Sequence, residues 1–137
     1  MGLEENRVQS FLATKEVVVL ATVQATGAPL AMPMWFLHDA TDLTMISVDD
    51  TQKVRNIRRD GRVCVVAEAV GAGGEIRGVT VQGRAELLAD SPDRHDRIGR
   101  FHAKYRGLER LWGGKAMPAN RVMFRIVPSR VRSWGLG

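Results

Sequence analysis

The chain carries a single cysteine, Cys64, so neither an internal disulfide framework nor a multi-cysteine zinc site is open to it. Aromatic residues are scarce: three tryptophans, one tyrosine and four phenylalanines. No strand carries the closely spaced exposed aromatics on which single-stranded nucleic acid stacks. Long hydrophobic runs are missing as well. The best of them, Val17 to Val23, is far shorter than the roughly 20 residues of a membrane-crossing helix, and its β-branched residues predict a buried strand. The start, Met1-Gly-Leu-Glu-Glu-Asn-Arg7, lacks the basic opening of a secretory signal. The expectation is a soluble cytoplasmic protein without membrane or nucleic-acid partners.

What is present fits one globular domain spanning residues 1–137, with 45% hydrophobic and 26% charged residues. Twenty basic residues against 15 acidic ones leave a net charge of +5, which favours anionic ligands. Residues 3–14 space Leu3, Val8, Phe11 and Leu12 along one face of a short helix. Strands follow at 16–25, 29–38 and 43–48, joined by turns short enough for an antiparallel meander. Thr51 opens a helix over 52–59, and strands at 62–69 and 78–89 lie on either side of a glycine-rich loop, Gly71 to Gly74. Ser91-Pro92 starts a helix running to about Tyr105. Residues 107–119 read as irregular, and 121–134 as a last strand broken at Pro128. About six strands with few crossover helices predict a small, mainly β, closed or nearly closed barrel.

Familiar catalytic and metal patterns are missing. His38, His95 and His102 fall in no ligand spacing, no serine sits in a G-x-S-x-G elbow, and Cys64 lies among valines as a core thiol would. Two stretches stand out instead. Lys53, Arg55, Arg58 and Arg59 crowd one short helix whose start, with free N–H groups and Lys53, suits an anion such as a phosphate. A merely solvated basic face is the other reading, and the nearby Asp49 and Asp50 favour it. Pro33 marks a sheet edge or bulge; its neighbours Met32, Met34 and Trp35 either wall an aromatic ligand or fill the barrel. Trp134 is too apolar for a free terminus, so it either docks on a partner subunit or closes a pocket.

Three segments, in order, carry a family resemblance: Gly27-Ala-Pro29 leading into Pro33-Met-Trp-Phe36, then Lys53-Val-Arg-Asn-Ile-Arg-Arg-Asp60, then Val79 to Glu86. From about residue 5 to 134 the chain resembles the pyridoxamine 5′-phosphate oxidase-like split β-barrel flavoproteins, especially small deazaflavin-dependent reductases of actinobacteria. The resemblance implies a six-stranded antiparallel split barrel of the FMN-binding type, forming a homodimer with cofactor at the subunit junctions. It implies cofactor-phosphate contacts at Lys53, supported by Gln52 and the backbone around Ser47, with Arg55 and Arg58 as further anion contacts and Asn56 fixing the helix to the barrel. It also implies a ring bordered by Met32, Pro33, Met34 and Trp35, and Trp134 against the cofactor. The Arg-x-His element that grips substrate phosphate in the true oxidases has no counterpart in Gly135-Leu-Gly137, so vitamin B6 oxidation is not expected.

The expected function is a flavin-type oxidoreductase passing a hydride to a small conjugated acceptor, with the chemistry carried by the cofactor. Coenzyme F-420 is favoured over FMN, because Arg55, Arg58, Arg59 and Arg62 beside Lys53 suit a long polyanion. The rivals are a flavin reductase, a non-catalytic flavin carrier or sensor, and, more remotely, a nucleic-acid-binding barrel. No catalytic residue or proton donor is assigned, and no metal is expected.

Overall fold

The computed structural model describes residues 2–136. In chain order the elements are α1 (Asn6–Leu12), β1 (Val17–Val23), β2 (Pro29–Trp35), β3 (Leu37–His38), β4 (Leu43–Val48), α2 (Gln52–Arg59), β5 (Arg62–Val70), β6 (Ile76–Leu87), α3 (Pro92–Lys104), α4 (Leu108–Leu111) and β7 (Arg121–Trp134). All seven strands belong to one sheet in the order β2-β1-β5-β6-β7-β4-β3. Every pairing is antiparallel. The two ends of that order, β2 and β3, are consecutive pieces of one segment parted only by Phe36. The sheet therefore curls back on itself as a split barrel.

The split has a local cause. The Phe36 N–H donates to the Tyr105 hydroxyl at 2.9 Å and its carbonyl accepts from Lys104 Nζ at 2.8 Å, so neither group enters the ladder. The predicted 29–38 strand exists but pairs with β1 before this point and with β4 after it. Counted that way, six long strands make the barrel, as expected.

Alternation builds the interior. Val18, Leu20 and Thr22 of β1, Val63, Val65 and Ala67 of β5, and Val79 and Val81 of β6 point inward and are buried. Phe124 and Ile126 meet them, and Leu3, Val8 and Leu12 plug one end of the barrel. A second cluster, Ile98, Phe101, Tyr105, Leu108, Trp112 and Met123, packs α3 and α4 onto the outer side of β4 and β7. Arg97 locks it there: its guanidinium spans Asp42 at 2.9 and 3.0 Å, Thr44 at 2.6 Å and Asp93 at 3.0 Å.

Two sequence expectations need correction. Pro128 does not break the last strand, because a bulge absorbs it. Gln82 pairs with Arg130 and Gly83 with Pro128, leaving Ser129 extra, and the Ser129 hydroxyl donates to Gln82 O at 3.1 Å. Part of the supposedly irregular 107–119 stretch is α4, entered through Gly107 at φ 87°. No helix among the described residues is long and apolar enough to cross a membrane.

Candidate functional site

The β2–β3 break, the β4–α2 corner and the α4 turn meet at a cleft of about 360 Å³. One side is Pro33, Met34 and Trp35, and the floor is Ile46, Ser47 and Val48. Lys53 enters from α2, while Phe101, Trp112 and Leu111 close the far wall and Arg121 stands at the mouth. No histidine or cysteine lines it.

Trp35 is outward-facing and 42% exposed. It is nevertheless held, because its ring stacks on Tyr105 at 4.5 Å between centroids and 12° between planes. Tyr105 is itself pinned: its hydroxyl accepts from Phe36 N and donates to Glu16 O at 2.6 Å. Burial pushes its pKa up to about 12, so the phenol keeps its proton and holds the strand break by hydrogen bonds.

Lys53 occupies the first turn of α2, and burial alone pushes its pKa down, with no carboxylate contributing. Its ammonium has neither an ionic nor a hydrogen-bonding partner among the described residues. Thr51 at the N-cap makes no side-chain bond to the first turn; its hydroxyl donates to Val48 O instead, at 3.1 Å. The turn's leading N–H groups thus stay open beside a desolvated cation, a combination that attracts an anion. Ser47 Oγ sits 3.3 Å from Thr51 Oγ1 and donates to Val48 O, which stiffens the corner.

The other basic residues of this region are already engaged. Arg55 pairs with Asp50 at 2.8 Å, Arg58 with Asp49 at 2.8 Å and Arg62 with Asp60 at 2.7 Å. Arg59 donates to Val23 O. None of these four arginines lines the cleft, so the polyanion argument built on them gains no support from it. Gln52 bonds Asn56 at 2.8 Å, and Asn56, fully buried, donates to Thr22 at 3.0 Å and ties α2 to β1. Met32 packs toward the barrel core. Trp134 lies over Gly78 at the end of β7, whereas the cleft borders Arg121 at that strand's start. Of the eleven expected cofactor contacts, Pro33, Met34, Trp35, Ser47 and Lys53 converge on the cleft; Met32, Gln52, Arg55, Asn56, Arg58 and Trp134 do not line it.

Phe101, Leu111, Trp112 and Arg121 were not singled out from the sequence. The first three reach the cleft through the return of α3 and α4 over the sheet and Arg121 from the start of β7, packing that no local pattern encodes. Among the described residues no three of His, Cys, Asp and Glu gather as a metal site would require.

The pattern of the pyridoxamine 5′-phosphate oxidase family matches residues 5–135. The chain belongs to that family. A conserved hypothetical protein from Mycobacterium tuberculosis is 29% identical, with TM-score 0.80, over 97% of this chain and 85% of its own. An FAD-binding protein from Mesorhizobium loti is 24% identical, with TM-score 0.74, over 90% of this chain and 86% of its own. The heme storage protein of Vibrio cholerae shares the fold at 16% identity and TM-score 0.79, over 97% of this chain and 95% of its own. No curated protein matches the sequence significantly. Family membership supports a flavin-type ligand, while the range of neighbours shows that the fold alone does not fix the function.

Proposed function

We propose that this family member binds a flavin-type cofactor in the Lys53 cleft and is an oxidoreductase acting on a small conjugated acceptor. One observation carries the reading: Lys53 is a desolvated, unpartnered cation at an open helix start, facing a cleft walled by Trp35, Met34 and Trp112. Bound there, a flavin-type ring supplies the hydride chemistry. The chain's part is to hold the phosphate at Lys53 and the first turn of α2, to seat the flat ring along Pro33–Trp35, and to exclude water with Leu111 and Trp112. The FAD-binding neighbour from Mesorhizobium loti supports the cofactor class.

With Arg55 and Arg58 paired to carboxylates, FMN needs the Lys53 anchor, whereas F-420 also requires a place for its acidic tail. Titration of the purified chain with each cofactor decides between them. Turnover of reduced cofactor with conjugated acceptors then separates an enzyme from a carrier. Stoichiometric binding without turnover supports the carrier reading, and no binding of either cofactor overturns the proposal.

The site is completed by a second copy of the chain. Trp35, Val48 and Leu111 leave an apolar rim at the cleft, 42%, 38% and 68% exposed. Val70, Ile76 and Trp134 form a second apolar patch, 65%, 61% and 38% exposed, at the other end of β7. In a two-fold dimer each patch meets the other's rim, which brings Trp134 of the partner subunit to the cofactor.

A further inference from the structure

A second cleft, of about 610 Å³, lies beside the first and shares Arg121 with it. One wall is a face of α3 presenting Arg94, His95, Ile98, Gly99 and His102; the other is the loop of Ala116, Met117, Pro118 and Ala119. The loop is tied down where His102 Nε2 meets Ala116 O at 2.7 Å. The polar groups are mostly cationic or neutral. Arg121 bonds only Asn120, at 2.6 Å, and the Arg94 side chain, 19% exposed, has a buried Nε without a hydrogen-bond partner. The single carboxylate, Asp90, is 78% exposed and spends its closest contact on His95 at 2.7 Å, with Arg94 at 3.9 Å. Two guanidinium groups thus line a partly apolar space that borders the proposed reaction cleft at Arg121.

We infer that this second cleft binds a carboxylate, held by Arg94 and Arg121, at the far end of a molecule whose conjugated part lies in the Lys53 cleft. Guanidinium groups offer paired donors matched to a carboxylate, and Ile98, Met117 and Pro118 accept the apolar carbon next to it. The carboxylate has two possible sources, an acidic acceptor or the glutamate tail of F-420. The inference rests on the proposed function for what occupies the first cleft, but the anion preference of the second cleft stands by itself.

Calorimetric titration of the full chain with cinnamate and with its uncharged analogue cinnamamide tests it, without added flavin and again with FMN present. Cinnamate is expected to bind about tenfold tighter, the scale of one charge-assisted hydrogen bond. Arg94→Gln and Arg121→Gln are expected to abolish that preference, and Arg94→Lys to retain part of it. A parallel titration compares F-420 with the tailless deazaflavin. A tail preference that Arg94→Gln removes, with no cinnamate preference, supports the cofactor tail as the source. If neither preference exists, or if both survive Arg94→Gln and Arg121→Gln, the inference is overturned. Failure of FMN to bind speaks against the proposed function alone, because the cinnamate comparison is read without it.

Discussion

Lys53 owes its interest to its neighbours' engagements. Arg55 and Arg58 lie two and five residues further along α2, yet Asp50 and Asp49 hold them at 2.8 Å, so Lys53 is the one cation of that helix that lines the cleft. Lys53→Ala should weaken flavin binding by about 1.5–3 kcal/mol, the scale of a hydrogen bond between charged partners, measured by equilibrium titration. Arg55→Ala and Arg58→Ala should change it far less. Lys104 offers a different test. Its ammonium lies 3.7 Å from the Phe36 ring centre and donates to Phe36 O, but burial dominates and pushes its pKa down from 10.5 to about 8. Below pH 8 the group is charged in both states and the burial penalty is fully felt. Between about pH 8 and 10.5 the unfolded chain binds the proton that the folded chain has released, so stability rises with pH across that window. Urea midpoints should climb over this range in the native chain and flatten in Lys104→Met. Equal slopes in the two proteins would remove Lys104 from the account.

At the scale of elements, α3 is held to the barrel by one buried ion pair, Arg97 with Asp42, 6% and 2% exposed. Asp42→Ala leaves the guanidinium with only Thr44 and the more exposed Asp93 and should cost about 3 kcal/mol in urea unfolding, the low end for a broken buried pair. Because α3 and α4 supply Phe101, Leu111 and Trp112, flavin affinity should fall with it. The β6–β7 bulge makes a second demand. A Cβ at Gly83 would sit 2.2 Å from Val127 O, against backbone that cannot give way. Gly83→Ala should therefore destabilise the chain by about 1–3 kcal/mol, the usual cost of overpacking, and a native urea midpoint would disprove the strain.

These elements also show what the sequence made legible. The bounds of β4 and α2 follow from the short turn before Leu43 and from Thr51 at the helix start, because both elements answer to local rules. Pro128 was misread because a bulge is a property of two paired strands, and nothing within residues 121–134 announces Gly83 opposite. In the site, Lys53 and Pro33–Trp35 were legible as local oddities. The pairing of Arg55 and Arg58 with Asp50 and Asp49 was not, since those contacts cross a helix start at separations of five and nine residues.

For the whole molecule, the two apolar patches at opposite ends of β7 are the feature a lone protomer leaves unused. Light scattering should give about twice the 15.1 kDa chain mass, and Trp134→Ala should weaken both the dimer and its flavin affinity while the barrel still folds. A monomeric mass at micromolar concentration contradicts the shared site. The central claim, that Lys53 and the first turn of α2 anchor a cofactor phosphate, is tested most directly by comparing FMN with riboflavin, which lacks the phosphate. The native chain should bind FMN about 10–100 times more tightly than riboflavin, and Lys53→Ala should collapse that ratio toward one. Equal binding of the two by the native chain, or an undiminished ratio in Lys53→Ala, would contradict it.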